Sequence, residues 1–202
     1  YALGGWLPPL GIEYRIDLLS AYVLVIVTAI AAVVFSFPLW GAEITLSRER
    51  HFLFYASLLL CLTGLLGIAI TGDVFNVFVF LEISSLSAYT LISLGRDRRA
   101  LMAAFTYLIM GTIGASFILV GIGLMYQMTG TLNMADLAER LPPVLDSRTI
   151  WMAFGFLVVG TGIKLAIFPL HQWLPNAYSF APSVVSAFLA ATATRWLITS
   201  SS

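Results

Sequence analysis

Lys164 is the only lysine among 202 residues, and it stands between an apolar run and the sequence Leu-Ala-Ile-Phe. An ammonium group in such a run is costly unless it faces a bundle interior or water, so its position reads as functional. A second charge intrudes in the same way at Glu82, inside DVFNVFVFLEISSLSAYTLISLG. Glu82 follows Asp73 by nine residues, which is ~13 Å down a helix at 1.5 Å per residue and close to mid-membrane. A carboxylate and an amine at that depth both have proton affinities that desolvation and each other's charge can move. If the pair forms and breaks, the lysine alternates between a charged state that Glu82 stabilises and a state that gives up its proton. That is a proton relay with an electrostatic switch. The other reading of the same two residues is a fixed structural ion pair.

Several further residues could serve such a relay. Ser85 and Tyr89 lie three and seven positions after Glu82 on its helical face and offer hydroxyls to it or to water. His171 follows Lys164 by seven positions, near the same face of an unbroken helix. With an unperturbed pKa of ~6.5 it could pass protons onward. Alternatively it hydrogen-bonds backbone freed at Pro169 or Pro175. A proline inside a helix removes its own N–H bond and displaces the carbonyl four residues back, so a break is expected near Pro169, with the carbonyl of Leu165 released beside Lys164. Irregular backbone at membrane depth is tolerated only where protein buries it or it lines a water-filled cavity. Arg195 is the third ionisable residue within a span. Neither an HExxH motif nor a serine–histidine–acid arrangement is present, which leaves an intramembrane hydrolase without support.

These residues need a membrane bundle to hold them, and the composition provides one. Hydrophobic residues make up 60% of the chain and charged residues 10%, with a mean hydropathy of +0.97; a soluble fold would have too little polar surface. Ten basic residues balance ten acidic ones, and no charge block points to nucleic acid. Cys61 stands alone, which excludes an internal disulfide and a cysteine-based metal site; it reads as a small buried hydrophobe. The chain begins at Tyr1 and ends in three serines, and is expected to be an internal part of something longer.

The apolar runs give an all-α, polytopic transmembrane helix bundle of about six spans. They are expected near 18–37, 52–70, 74–94, 100–126, 150–174 (broken near Pro169) and 183–198, all within one domain covering 1–202. Residues 1–17 read as an extended interfacial lead-in with Trp6 as an anchor. Residues 38–51 form a polar loop, and Asp73 is placed to cap the third helix. Gly111, Gly114, Gly121 and Gly123 suit a helix that packs closely on its neighbours; no strand precedes them, so they are not a nucleotide fingerprint. TLNMADLAERL reads as a short amphipathic surface helix. Arg48, Arg50, Arg96, Arg98 and Arg99 fall on one side and Arg15, Arg140 and Arg148 on the other, which places the N-terminus on the outer side.

Three stretches carry a resemblance: ITGDVFNVFVFLEISSLSAYTLISLG, RRALMAAFTYLIMGTIGASFILVGIGLMYQMTGTLNMADL and GTGIKLAIFPLHQWLPNAYSFAPSVVSAFLAATAT. In them the chain resembles the antiporter-like, proton-conducting membrane subunits of NADH:quinone oxidoreductases, Mrp-type cation/proton antiporters and membrane-bound hydrogenases. The wording around Glu82 and in WLPNAYSFAPS is most similar to the Mrp D-type subunit. The resemblance implies the first of two inverted five-helix repeats, with one helix ahead of it. It also implies a proton-translocating role in which Glu82 matches the family's mid-membrane glutamate, Lys164 the lysine of the broken helix and His171 a histidine common after the break. Arg195 stands where this branch usually has lysine, and an arginine cannot release its proton. The implied partners are other membrane subunits of an antiporter or respiratory complex in a bacterial or archaeal cell membrane, the lipid itself, protons, and sodium where exchange is coupled. No cofactor, metal or nucleic acid is implied.

Overall fold

The computed structural model describes residues 1–36, 50–95 and 97–199, with side chains through residue 192. Most of the expected loop at 38–51, together with Arg48 and Arg96, lies outside the described residues. The helices are α1 (Leu18–Ser36), α2 (His51–Ile70), α3 (Val74–Ser93), α4 (Arg98–Thr129), α5 (Met134–Arg140), α6 (Arg148–Lys164), α7 (Trp173–Phe180) and α8 (Ser183–Thr199). Among the described residues, extended pairing is confined to isolated bridges. Helices α1 to α4 are long and apolar enough to cross a membrane. The fifth expected span is divided between α6 and α7.

Local sequence accounts for the helix ends. Asp73 starts α3 by accepting the Asn76 N–H at 2.8 Å. Asp97 does the same for α4 through Arg99 at 3.1 Å, and Ser147 for α6 through Thr149 at 3.2 Å. Each satisfies a donor that the first helical turn leaves without a partner. Gly130 closes α4 at φ 68°, a left-handed cap that glycine adopts without steric cost.

Packing follows the small residues. Helix α4 runs along α6, and their backbones meet at Gly114 and Gly160: a Cβ added at Gly160 would lie 2.7 Å from the Gly114 carbonyl oxygen. Helices α2 and α3 form an antiparallel pair joined by the Thr71–Asp73 turn, and α3 also packs on α4. The core joins α1, α2, α3, α7 and α8 through Val27, Phe54, Leu58, Leu91, Ile92, Ala177 and Phe188.

The lead-in is tied down more firmly than an interfacial extension would be. Arg15 N–H donates to Ile70 O at 2.7 Å, Gly72 N–H to Glu13 O at 3.0 Å, and Met134 N–H to Gly72 O at 2.9 Å. The Asn133 side-chain amide donates to Glu13 Oε1 at 3.0 Å. Three segments distant in sequence thus share one hydrogen-bonded knot at the end of the bundle. Thr71, Asp73, Thr131 and Asn133 are buried in it. Trp6 is 67% exposed.

Burial pushes the Asp73 carboxyl above the ordinary carboxylate range, against the opposing pull of the Asn76 and Phe75 N–H groups. The folded state therefore holds this proton more tightly than the unfolded chain. The group's contribution to stability falls as pH rises from the unfolded value through the raised folded one. Asp73→Asn keeps the cap acceptor and removes the buried charge, so its thermal midpoint at pH 7 should equal or exceed that of the parent. Asp73→Ala loses the cap and should cost about 1 kcal/mol. Thermal denaturation of both variants in detergent checks the ordering.

Candidate functional site

The site begins with the way α6 stops. Ala166 sits in the left-handed region at φ 52°. Around it, Ile167 N–H donates to Gly162 O at 3.0 Å and Ala166 N–H to Ile163 O at 3.2 Å. This pair of bonds is a Schellman closure, with alanine where glycine is usual. It ends α6 at Lys164, and α7 begins at Trp173, so the interruption runs from 165 to 172 with Pro169 inside it. Pro169 lies in the connection between α6 and α7 and not inside a helix. The carbonyl that a side chain caps is that of Ile163, not Leu165: the Trp173 indole N–H reaches it at 3.2 Å. In this way α7 is pinned to the end of α6.

Lys164, the last residue of α6, turns its side chain toward α3. Its Nζ lies 2.5 Å from Glu82 Oε1 and donates to Ser85 Oγ at 3.0 Å. The lysine side chain is 4% exposed and that of Glu82 23%, so this pair cannot lean on bulk water for its solvation. A cation at a helix C-terminus is also favoured by the helix dipole. Two helices joined to α4 thereby place an amine, a carboxylate and a hydroxyl in direct contact, although 82 positions separate the charged residues.

A cavity of about 60 Å³ adjoins the ammonium group, lined among others by Ser84, Ser85, Cys61, Tyr107 and Trp173. Its wall is otherwise mostly aliphatic, and its size admits water where Lys164 and the serine hydroxyls face it. Tyr107 stacks on Trp173 with ring centroids 4.2 Å apart and meets Tyr89 edge-on at 4.4 Å. Sequence reasoning singled out neither Tyr107 nor the indole bond. The only signal for Trp173 was its nearness to the prolines, and none existed for Tyr107.

The other candidates are placed differently. Tyr89 is buried on the Glu82 face, but its hydroxyl has no hydrogen-bond partner among the described residues and rests against Gly111 of α4. His171 lies in the connection after α6, and its ring lies 5.6 Å from that of Phe168. Its Nδ1 is buried without a partner among the described residues, so neither a bond to Lys164 nor one to freed backbone is formed there. The helical phase that would align it with Lys164 is lost because α6 ends first. Arg195 belongs to α8, and its side chain lies outside the described residues. No group of three or more histidine, cysteine or acidic residues suited to a metal ion occurs among the described residues.

Comparison with known proteins gives a consistent picture. The family described as "NADH:quinone oxidoreductase/Mrp antiporter, TM" matches residues 71–197. NADH-quinone oxidoreductase subunit N of Desulforudis audaxviator (strain MP104C) is 51% identical over 197 residues, which is 96% of this chain and 38% of that protein. The D-type Na(+)/H(+) antiporter protein of Bacillus subtilis (strain 168) is 34% identical over 197 residues, 96% of this chain and 39% of that protein. Among solved structures, a chain of the membrane-bound sulfane sulfur reductase, an archaeal respiratory membrane complex, superposes with a TM-score of 0.89. The two are 33% identical, over 98% of this chain and 40% of that one. The chain thus spans roughly two fifths of the length of the proteins it matches.

The Schellman closure predicts a stability effect at Ala166. A left-handed alanine costs roughly 1–2 kcal/mol, and the extra freedom of glycine in the unfolded chain offsets ~0.4–1 kcal/mol of any relief. Ala166→Gly should therefore stabilise by up to about 1 kcal/mol, read as a raised thermal midpoint in detergent. A lowered midpoint would refute the assigned backbone geometry.

Proposed function

The chain belongs to the NADH:quinone oxidoreductase/Mrp antiporter family of membrane subunits, and from that premise we propose that it is the part of such a subunit that moves protons through the Lys164–Glu82 pair. The observation that supports this reading is the 2.5 Å contact between a buried amine and a half-buried carboxylate on separate helices, beside a small cavity. Paired with Glu82, Lys164 holds its proton. When the pair separates, the ammonium is left buried without an anion, and its proton is handed along the Ser85 hydroxyl and cavity water, each releasing one proton onward as it accepts another. A lysine has the compact, titratable head that such exchange needs. By the family resemblance His171, in the connection after α6, and Arg195, in α8, belong to the proposed path, with Arg195 supplying fixed positive charge only. The subunit works among other membrane subunits in a bacterial or archaeal cell membrane.

Two couplings fit the family. The motifs around Glu82 and WLPNAYSFAPS favour a D-type antiporter subunit, exchanging protons for sodium. The higher identity, 51% against 34%, favours a redox-driven subunit resembling NADH-quinone oxidoreductase subunit N. Neighbouring genes separate the two: small antiporter subunits on one side, iron–sulfur and quinone-site subunits on the other.

The relay is tested in the full-length parent by measuring pH gradients in inverted vesicles. Lys164→Ala and Glu82→Gln should each lower proton movement by at least about tenfold, the loss expected when a group that carries the proton is removed. Lys164→Arg is the deciding variant, because it keeps the charge and the ion pair but cannot release a proton. Lost transport in an assembled Lys164→Arg complex supports the relay. Normal transport in that variant, with assembly lost only in Lys164→Ala and Glu82→Gln, would leave a fixed structural ion pair.

A further inference from the structure

A second cavity, of about 530 Å³, lies at the end of the bundle where the lead-in is tied down. Glu13, Arg15 and Asp17 of the lead-in line it, with Ser20 of α1 and Thr71 of the α2–α3 turn. It is much larger than the cavity beside Lys164 and carries three formal charges on its wall. Such a space has room and polar groups for water, which needs only about 30 Å³ of liquid volume and two to four polar partners. Asp17 accepts the Ser20 N–H at 2.7 Å, which holds its carboxyl below the ordinary carboxylate range and keeps a negative charge at the mouth.

The two cavities share a wall. Ile68 of α2 and Leu81 of α3 line both of them. Leu81 immediately precedes Glu82, and Ser85, which holds Lys164, lies one turn farther along α3. The barrier between the charged vestibule and the buried amine is therefore a single layer of apolar side chains. A narrow apolar constriction between two polar spaces passes water only when it widens slightly, and it closes by dewetting. The knot fixes one end of both gate helices, because Ile70 O and Gly72 N–H bond to the lead-in. Relative motion of α2 and α3 at Ile68 and Leu81 is then a small shear next to an anchored turn.

We infer that this vestibule is the aqueous port through which the Lys164 site exchanges protons with one face of the membrane, and that Ile68 and Leu81 are its hydrophobic gate. The inference deepens the relay reading and rests on it for its purpose, but the port itself is a statement about water access. It is testable without any measurement of transport.

Cys61 supplies the probe. It is 1% exposed and lines the inner cavity with Lys164. The full-length parent, assembled in its complex, is treated with a membrane-impermeant trimethylammonium methanethiosulfonate in right-side-out and in inverted vesicles, and modification is followed by peptide mass spectrometry. Leu81→Ala and Ile68→Ala each thin the gate from a different helix, so the test survives if one of them fails to assemble. Either should raise modification of Cys61 by at least about tenfold, as expected of a dewetted constriction opened to water, and only when reagent meets the face bearing Glu13 and Asp17. Val77→Cys, on the vestibule wall, should be modified from that same face with the gate residues intact. Unchanged modification of Cys61 in both gate variants, equal modification from both faces, or a protected Val77→Cys thiol would overturn the port. None of those results bears on Lys164→Arg, so failure of the port and failure of the relay are distinguishable.

Discussion

The structure depends on one constraint: an ammonium group buried among apolar helices must have an anion within reach. Lys164 meets it through Glu82 and Ser85, and that single contact dictates much of the surrounding geometry. Helix α6 must end where the lysine is, so that the side chain leaves a helix terminus of favourable dipole. Helix α3 must present its middle, because the carboxylate sits near the centre of that span. Both must be held against α4, and the glycine contacts on α4 bring the backbones close enough for a direct bond. A bulky residue at Gly114 or Gly160 would push α6 away from α4, and the lysine with it.

The interruption of α6 solves a second problem, that of backbone polar groups at membrane depth. An unwound segment in an apolar setting must satisfy its own N–H and C=O groups. Here the Schellman bonds close the last turn, and the Trp173 indole adds a bond to Ile163 O. The same tryptophan stacks on Tyr107 and so forms part of the wall of the lysine cavity. Structure and site are therefore not separable at this point: the residue that terminates the backbone problem also shapes the space around the amine.

At the end of the bundle, the knot of Glu13, Gly72, Asn133 and Met134 shows the same economy. It turns a polar lead-in into the lining of a charged vestibule and anchors the turn between α2 and α3. The apolar layer of Ile68 and Leu81 then stands between that vestibule and the buried pair. Charged groups of the vestibule, an apolar layer and the Lys164–Glu82 contact follow one another along α3 within a few turns.

The sequence by itself determined the membrane setting, the approximate helices and the two residues at the centre, for a simple reason. Apolar runs of ~20 residues have few alternatives to spanning helices, and a charge inside one stands out against its neighbours. Caps such as Asp73 were legible because capping is local. The close packing of α4 was legible from its glycines. The first residue of the interruption after α6 was not, because its left-handed cap is an alanine, and Pro169 lies inside the interruption and not at its start. His171 would share a face with Lys164 only on an unbroken helix, and α6 ends before it. Only the tertiary structure decided that Lys164 reaches Glu82 and Ser85, that Tyr89 faces Gly111 instead, that Trp173 caps Ile163, and that Glu13 binds Asn133 across 120 positions. Each of these is a contact between segments far apart in the chain, set by how helices slide and rotate against one another. Local propensity carries no information about that choice.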